Sequence, residues 1–112
     1  MTAPGESEFV IVYSTFPDRE AAEKTGRTLV EAKLAACVNI LAPMTSIYEW
    51  EGALETASEF PVLIKTRRLL AGRAIEAAKA LHPYTVPCFL ILPVAGGNSD
   101  YLAWARAQTR EQ

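Results

Sequence analysis

The chain has 112 residues, half of them hydrophobic and 21% charged, with a formal net charge of −2. This length predicts a single domain, and no block of basic residues favours nucleic acid as a partner. No apolar run approaches the roughly 20 residues that a membrane span needs, so no membrane partner is expected.

The N-terminus, MTAPGESE, is small, polar and acidic. It lacks the basic region and the apolar core of a secretory signal. We therefore expect a disordered tail over residues 1–7, a single domain over residues 8–112 and a cytoplasmic location. The two cysteines, Cys37 and Cys88, lie outside any CxxC motif and do not indicate a disulfide framework or a zinc ribbon.

The first part of the chain predicts a strand, a helix and a second strand. The run from Phe9 to Phe16 consists mainly of apolar, β-branched and aromatic residues, which is typical of a strand buried on both faces. A proline followed by Asp18 marks a helix start, and apolar residues at three- to four-residue spacing predict a helix from Arg19 to about Leu34. The next strand runs from Cys37 to Leu41 and is broken or bent by Pro43.

A long hairpin is predicted next. The segment from Met44 to Gly52 alternates strictly, with Tyr48 and Trp50 on one face, as a strand does. Gly52 and Ala53 can turn the chain, and the segment from Glu59 to Arg67 returns. Because Pro61 lacks an N–H group, we expect it at an edge or near a bulge.

The last part of the chain predicts a helix, a strand and a short helix. Apolar spacing predicts a helix from Leu69 to Leu81. The run from Cys88 to Val94 is a short apolar strand. Asn98 or Ser99 then caps a terminal helix that carries Trp104.

The element order is βαββαβ followed by a terminal helix. This order predicts an α+β, ferredoxin-like split βαβ fold with both main helices on one face of the sheet. The strands are apolar on both faces, so the other face also needs a cover. The terminal helix is too small for that alone, and a partner subunit is the expected remainder.

Four segments of the chain resemble the CutA divalent-cation-tolerance family. They are LAACVNILAPMTSIYEWEG, FPVLIKTR, LHPYTVPCFLILPV and GNSDYLAW, in this order between about Phe9 and Trp104. The resemblance implies a ferredoxin-like fold and a tight homotrimer in which long hairpins pair around a three-fold axis. It also implies an association with copper tolerance and copper binding. No obligatory cofactor is expected, and copper or another divalent cation is the ion that the family points to.

Three residues are candidate metal ligands: Cys37, His82 and Cys88. In the family, a cysteine at the position of Cys37 is implicated in copper binding. Some relatives carry a second cysteine where this chain has Ser14, and the family usually has an acidic residue where this chain has Cys88. The alternative interpretation is structural: a proline directly after His82 makes the segment a helix stop, and free cysteines commonly act as small hydrophobes.

Aromatic and charged residues form a second candidate set, either a cleft between subunits or an interface. Its members are Tyr48, Trp50, Glu59, Lys65, Tyr84 and Trp104. Aromatic side chains often anchor subunit interfaces, so an interface is the preferred role of Tyr48 and Trp50. Lys65 could bind an anion if it points into a cleft, and Glu59 could pair with Lys65 or with another cation.

The sequence does not favour an enzyme, since it contains no GxSxG elbow, no phosphate-binding glycine loop and no HExxH motif. Three functions therefore stay open. The first is a homotrimer associated with tolerance to divalent cations and response to metal ions, with weak copper binding. The second is a trimeric ligand-sensing module that binds small anions in clefts between subunits. The third is a structural scaffold for protein partners.

Overall fold

The computed structural model describes residues 7–110, and residues 1–6 of the predicted tail over residues 1–7 lie outside this range. Ser7, the last residue of the predicted tail, is buried, and its carbonyl accepts a hydrogen bond from Arg68. The elements along the chain are β1 (Phe9–Phe16), α1 (Arg19–Glu31), β2 (Cys37–Ile40), β3 (Met44–Trp50), β4 (Ala53–Arg67), α2 (Ala71–Lys79), β5 (Phe89–Pro93) and α3 (Ser99–Gln108).

The sheet has the strand order β2-β4-β1-β5, and β3 pairs with the outer part of β4. All neighbouring strands are antiparallel. Apart from the extra strand β3, this is the order of a split βαβ sheet, so the predicted ferredoxin-like α+β fold is confirmed.

The hairpin of β3 and β4 is longer than predicted. The returning strand begins at Ala53 rather than at Glu59 and contains 15 residues. Its first six residues, ALETAS, are half polar and mostly exposed and show no apolar alternation, so only pairing with β3 reveals them as a strand. The turn also differs from the prediction: Glu51 and Gly52 have φ angles of 51° and 82°, as both positions of a type I′ turn require.

Pro61 lies beside an interruption in the strand pairing of β4. On one side of β4, strand β2 ends at the pair Ile40–Val62 and β3 begins at the pair Met44–Glu59. The two ladders are separated by three unpaired residues on that side and by two on β4. A proline that cannot donate a hydrogen bond is tolerated there.

The core lies between α1, α2 and one face of the sheet. The largest fully buried side chains include Phe16, Leu29, Ile64 and Leu70. Asp18 caps α1, because its side chain accepts a hydrogen bond from the Ala21 N–H at 2.7 Å. The helices are shorter than predicted: α1 ends at Glu31 and α2 spans Ala71–Lys79 after a 3-10 turn over Arg68–Leu70.

The opposite face of the sheet, which we call the open face, is only partly covered. The helix α3 packs on one end of it, where Phe9 contacts a small cluster around Ala105. Cross-strand pairing places a second group of apolar residues on the same face: Ile11, Tyr13, Leu63, Leu90 and Leu92. Leu90 and Leu92 are 56% and 45% exposed. The expectation that one chain cannot cover both faces of its sheet is therefore met.

The three helices of the described chain are short. The longest, α1, has 13 residues. None between residues 7 and 110 combines the length and the apolar character that crossing a membrane requires.

Candidate functional site

His82 is buried, and both of its ring nitrogens form hydrogen bonds. The Nδ1 atom accepts from the Tyr84 backbone N–H at 3.1 Å, so the proton of the neutral ring lies on Nε2. The Nε2 atom is 2.8 Å from the Thr15 carbonyl oxygen, to which it donates. The ring also packs on Phe16 and Phe89, with ring centroids 4.2 and 5.9 Å away. The histidine therefore joins the end of α2 to strand β1, and neither nitrogen is left for a metal.

The turn that follows His82 places Tyr84 against the hairpin. Its backbone N–H is held by His82, and the two rings are 5.0 Å apart. Its hydroxyl group donates to the Glu59 carboxylate at 2.7 Å. The glutamate lies near the centre of β4 and is only 6% exposed. The segment LHPYTVPC thus connects the helix layer to a buried carboxylate on the sheet.

These residues line a cavity of about 410 Å³ at the end of the open face that α3 leaves uncovered. Its walls are Thr15, Tyr48, Trp50, Glu59, Tyr84, Val86 and Cys88. The hairpin supplies Tyr48 and Trp50, which are 41% and 47% exposed. Four of the six predicted cleft or interface residues therefore meet at one cavity. Pairing of Thr15 with Pro61 across β1 and β4 places Thr15 in the wall, a contact that no local pattern could predict.

Two titratable groups in the cavity wall, the Tyr84 hydroxyl and the Cys88 thiol, have raised pKa values. Burial, followed by the hydrogen bond and the charge of Glu59, raises the pKa of the Tyr84 hydroxyl well above its ordinary value. Burial, and then the Glu59 charge, also raises the pKa of the Cys88 thiol. At neutral pH the tyrosine hydroxyl and the thiol are protonated, so Glu59 supplies the charge of the cavity wall.

The other two members of the predicted cleft set lie elsewhere. The Nζ atom of Lys65 is 5.8 Å from the Tyr101 ring centroid, beneath α3. Trp104 is 46% exposed on α3, with its ring 5.6 Å from that of Tyr101. Neither lines the cavity around Glu59, and the interface role predicted for Trp104 stays a prediction.

The two cysteines are free and far apart. Cys37 begins the edge strand β2, and Cys88 directly precedes β5 at the opposite edge. Three steps between strands correspond to about 14 Å, whereas a disulfide needs Cα atoms within about 7 Å. Ser14 has a structural role that the sequence did not reveal. Its hydroxyl group donates a hydrogen bond to the Cys88 backbone carbonyl at 2.7 Å and so connects β1 to the start of β5.

Comparison with known proteins gives a consistent result. The model of the CutA1 divalent ion tolerance protein family matches residues 10–108. The divalent-cation tolerance protein CutA of Thermus thermophilus is 46% identical over 99 residues, which are 88% of this chain and 96% of that protein. The chloroplastic protein CutA of Arabidopsis thaliana is 45% identical over 101 residues, which are 90% of this chain and 56% of that protein.

The chain belongs to the CutA1 divalent ion tolerance family. A solved structure agrees: CutA from Xylella fastidiosa superposes with a TM-score of 0.90 at 38% identity, covering 93% of this chain and 100% of that one. The chain spans just over half the length of the two plant relatives that it matches, at 56% and 58%. Family members are described as tolerance proteins rather than as enzymes.

The family name raises the question of whether one chain can hold a divalent cation. Between residues 7 and 110 no three His, Cys, Asp or Glu side chains are grouped as a metal site requires. Both nitrogens of His82 are engaged, and Cys37 and Cys88 lie at opposite edges of the sheet. A complete metal site is therefore not formed by the described residues of a single chain, and donors from a second copy would have to complete one.

We expect the rate of Cys88 alkylation to rise with pH around a midpoint that is higher in the folded protein than in the unfolded chain. The reason is that burial and the Glu59 charge raise its pKa, and the thiolate is the reactive form. The measurement is the iodoacetamide rate against pH in a Cys37→Ser variant, with and without urea. A folded-state midpoint at or below that of the unfolded chain would contradict this electrostatic description.

Proposed function

We propose that this protein acts in tolerance to divalent cations as a homotrimer. The observation that supports it best is the family match over residues 10–108. The chain is also 46% identical to a divalent-cation tolerance protein, and the matched region covers 96% of that protein. A cytoplasmic location, expected from the sequence, is part of the same proposal.

Self-association is supported by the surface that the fold leaves exposed. The open face presents Leu90 and Leu92, and the hairpin tip presents Ile47 and Leu54, which are 70% and 78% exposed. Exposed apolar side chains clustered on a strand face commonly mark a protein interface. The hairpin strand β4 is 15 residues long, and an extended strand of that length spans about 50 Å, so the hairpin can reach a neighbouring copy. Three copies are proposed because the resemblance to the family implies a trimer.

Copper binding in this proposal is weak and depends on Cys37. The Cys37 thiol lies on an edge strand, half-buried, with Sγ 3.7 Å from the Asn39 side-chain oxygen. Soft thiolate donors suit copper. Cys88 is a poorer donor because its raised pKa disfavours the thiolate. His82 is a structural residue in this proposal, since its ring nitrogens already hold Thr15 and Tyr84.

Growth in the presence of copper tests the proposed function. Deleting the gene for this chain from its host should lower growth at raised copper concentrations, and the wild-type gene should restore it. The matched condition is a potassium salt of the same anion at equal ionic strength, where both strains should grow alike. Equal growth of the deletion strain and its parent at every copper concentration would contradict a role in tolerance.

A further inference from the structure

The cavity beside the hairpin combines features that differ from those of a metal site. It combines one buried carboxylate, Glu59, with the rings of Tyr48, Trp50 and Tyr84. We propose that this cavity binds a small organic ammonium ion, whose positive charge lies between the Glu59 carboxylate and the aromatic rings. The site goes beyond the proposed tolerance function, and its test requires no metal.

The carboxylate of Glu59 favours a positively charged ligand. The side chain is 6% exposed, and the Tyr84 hydroxyl is its hydrogen-bond donor among residues 7–110. The ion pairs found in this part of the chain, Lys79–Glu76 and Arg106–Glu8, do not involve it. A buried carboxylate is costly unless a cation or several hydrogen bonds compensate for the lost water. A bound cation would provide that compensation.

The remaining walls also favour a cation. The face of an aromatic ring carries negative potential and attracts alkylammonium groups, and three such rings line the cavity. No lysine or arginine is among its lining residues between positions 7 and 110. Lys65 lies six positions further along β4, which is about 20 Å in an extended strand. A small anion would therefore meet the Glu59 carboxylate without a compensating positive charge.

The shape of the site favours an organic ion over a bare metal ion. A metal requires several converging donors, and the cavity offers one carboxylate among rings and apolar groups. Its volume of about 410 Å³ is large for a single ion but falls within the usual range for small-molecule sites. Alkyl groups around a positive nitrogen match both the rings and the volume.

Calorimetric titration with choline chloride tests the site. Its neutral isostere, 3,3-dimethylbutan-1-ol, has the same shape without the charge, and isovalerate supplies an anion of similar size. We expect choline to bind and the other two compounds to bind at least roughly tenfold more weakly, because only the ammonium ion interacts favourably with both carboxylate and rings.

Two variants and one control assign the binding to this cavity. Glu59→Gln keeps an oxygen that can accept from Tyr84 but removes the charge, and it should weaken choline binding roughly tenfold. Trp50→Leu removes a half-exposed ring outside the core and should also weaken binding. Glu49→Gln removes an exposed carboxylate from the hairpin face opposite Tyr48 and Trp50 and should leave the affinity unchanged.

Several outcomes would overturn the proposal. One is equal affinity of the wild-type protein for choline and for the neutral isostere, and another is unchanged choline binding in Glu59→Gln. A third is no binding of choline to the wild-type protein, which is also the result expected if a lysine or arginine of a second copy filled the cavity. Growth on copper is a separate measurement, so failure of the ammonium site leaves the tolerance proposal to be decided by its own test.

Discussion

Replacing His82 by alanine should lower the free energy of unfolding by about 3 kcal/mol. The substitution removes the donor to the buried Thr15 carbonyl and the acceptor for the Tyr84 N–H. It also leaves a hole beside Phe16, whose ring centroid is 4.2 Å from that of the histidine. For a domain of this size the melting temperature should fall by on the order of 10 °C.

The same variant separates a structural histidine from a copper ligand. We expect copper affinity to stay unchanged in His82→Ala and to fall in Cys37→Ser. The melting temperature must be compared at one protein concentration, because the stability of an oligomer depends on concentration. Lys79→Ala, at an exposed position near the end of α2, is the matched control and should change neither property.

His82→Gln keeps the test decisive if the alanine variant does not fold. Its side-chain amide can still donate to the Thr15 carbonyl, but it has no imidazole nitrogen to bind copper. Loss of copper binding in either variant, with the melting temperature and the oligomer intact, would show that the histidine is a ligand. The hydrogen bonds of the folded chain would then have to rearrange when copper binds.

Replacing Leu90 by aspartate should prevent assembly of the proposed trimer. Leu90 is 56% exposed in the single chain and lies on the open face, opposite Tyr13. Burying an unpaired carboxylate in an apolar interface costs several kcal/mol, and three-fold symmetry repeats that cost in every subunit. Because the side chain contributes little to the core of its own chain, the monomer should retain its fold.

Light scattering during size-exclusion chromatography measures this effect. The wild-type protein should have three times the mass of one chain, and Leu90→Asp should have the mass of one chain. Leu69→Asp is the matched control, since Leu69 is 50% exposed but lies in the 3-10 turn before α2 rather than on a strand. A wild-type protein that is a stable folded monomer at low micromolar concentration would contradict the proposed assembly.

Local patterns in the sequence were sufficient to predict the elements and their order. The apolar run of β1 and the regular spacing of α1 each report the environment of a few successive residues. Asp18 and Asn98 were predicted as possible caps, and the structure confirms both. The element order then restricts the topology, because a split βαβ unit allows few arrangements of its strands.

Extents of elements were harder to predict, because they depend on a partner that the local sequence does not show. The first six residues of β4, ALETAS, are mostly exposed and lack the alternation of a half-buried strand. They are extended because β3 pairs with them along its whole length. The helices, conversely, end earlier than their apolar spacing suggested, since Ala32 and Ala80 are already capping residues.

The sequence by itself determined the fold class, the family and the residue types available for a site, whereas tertiary structure decided which of those residues meet. His82 and Thr15 are separated by 67 positions, and Tyr84 and Glu59 by 25. Contacts of this kind depend on strand order and register rather than on periodicity. For this reason tertiary structure separates Lys65 from Glu59, places Cys37 and Cys88 at opposite edges of the sheet, and engages both nitrogens of the histidine within the chain.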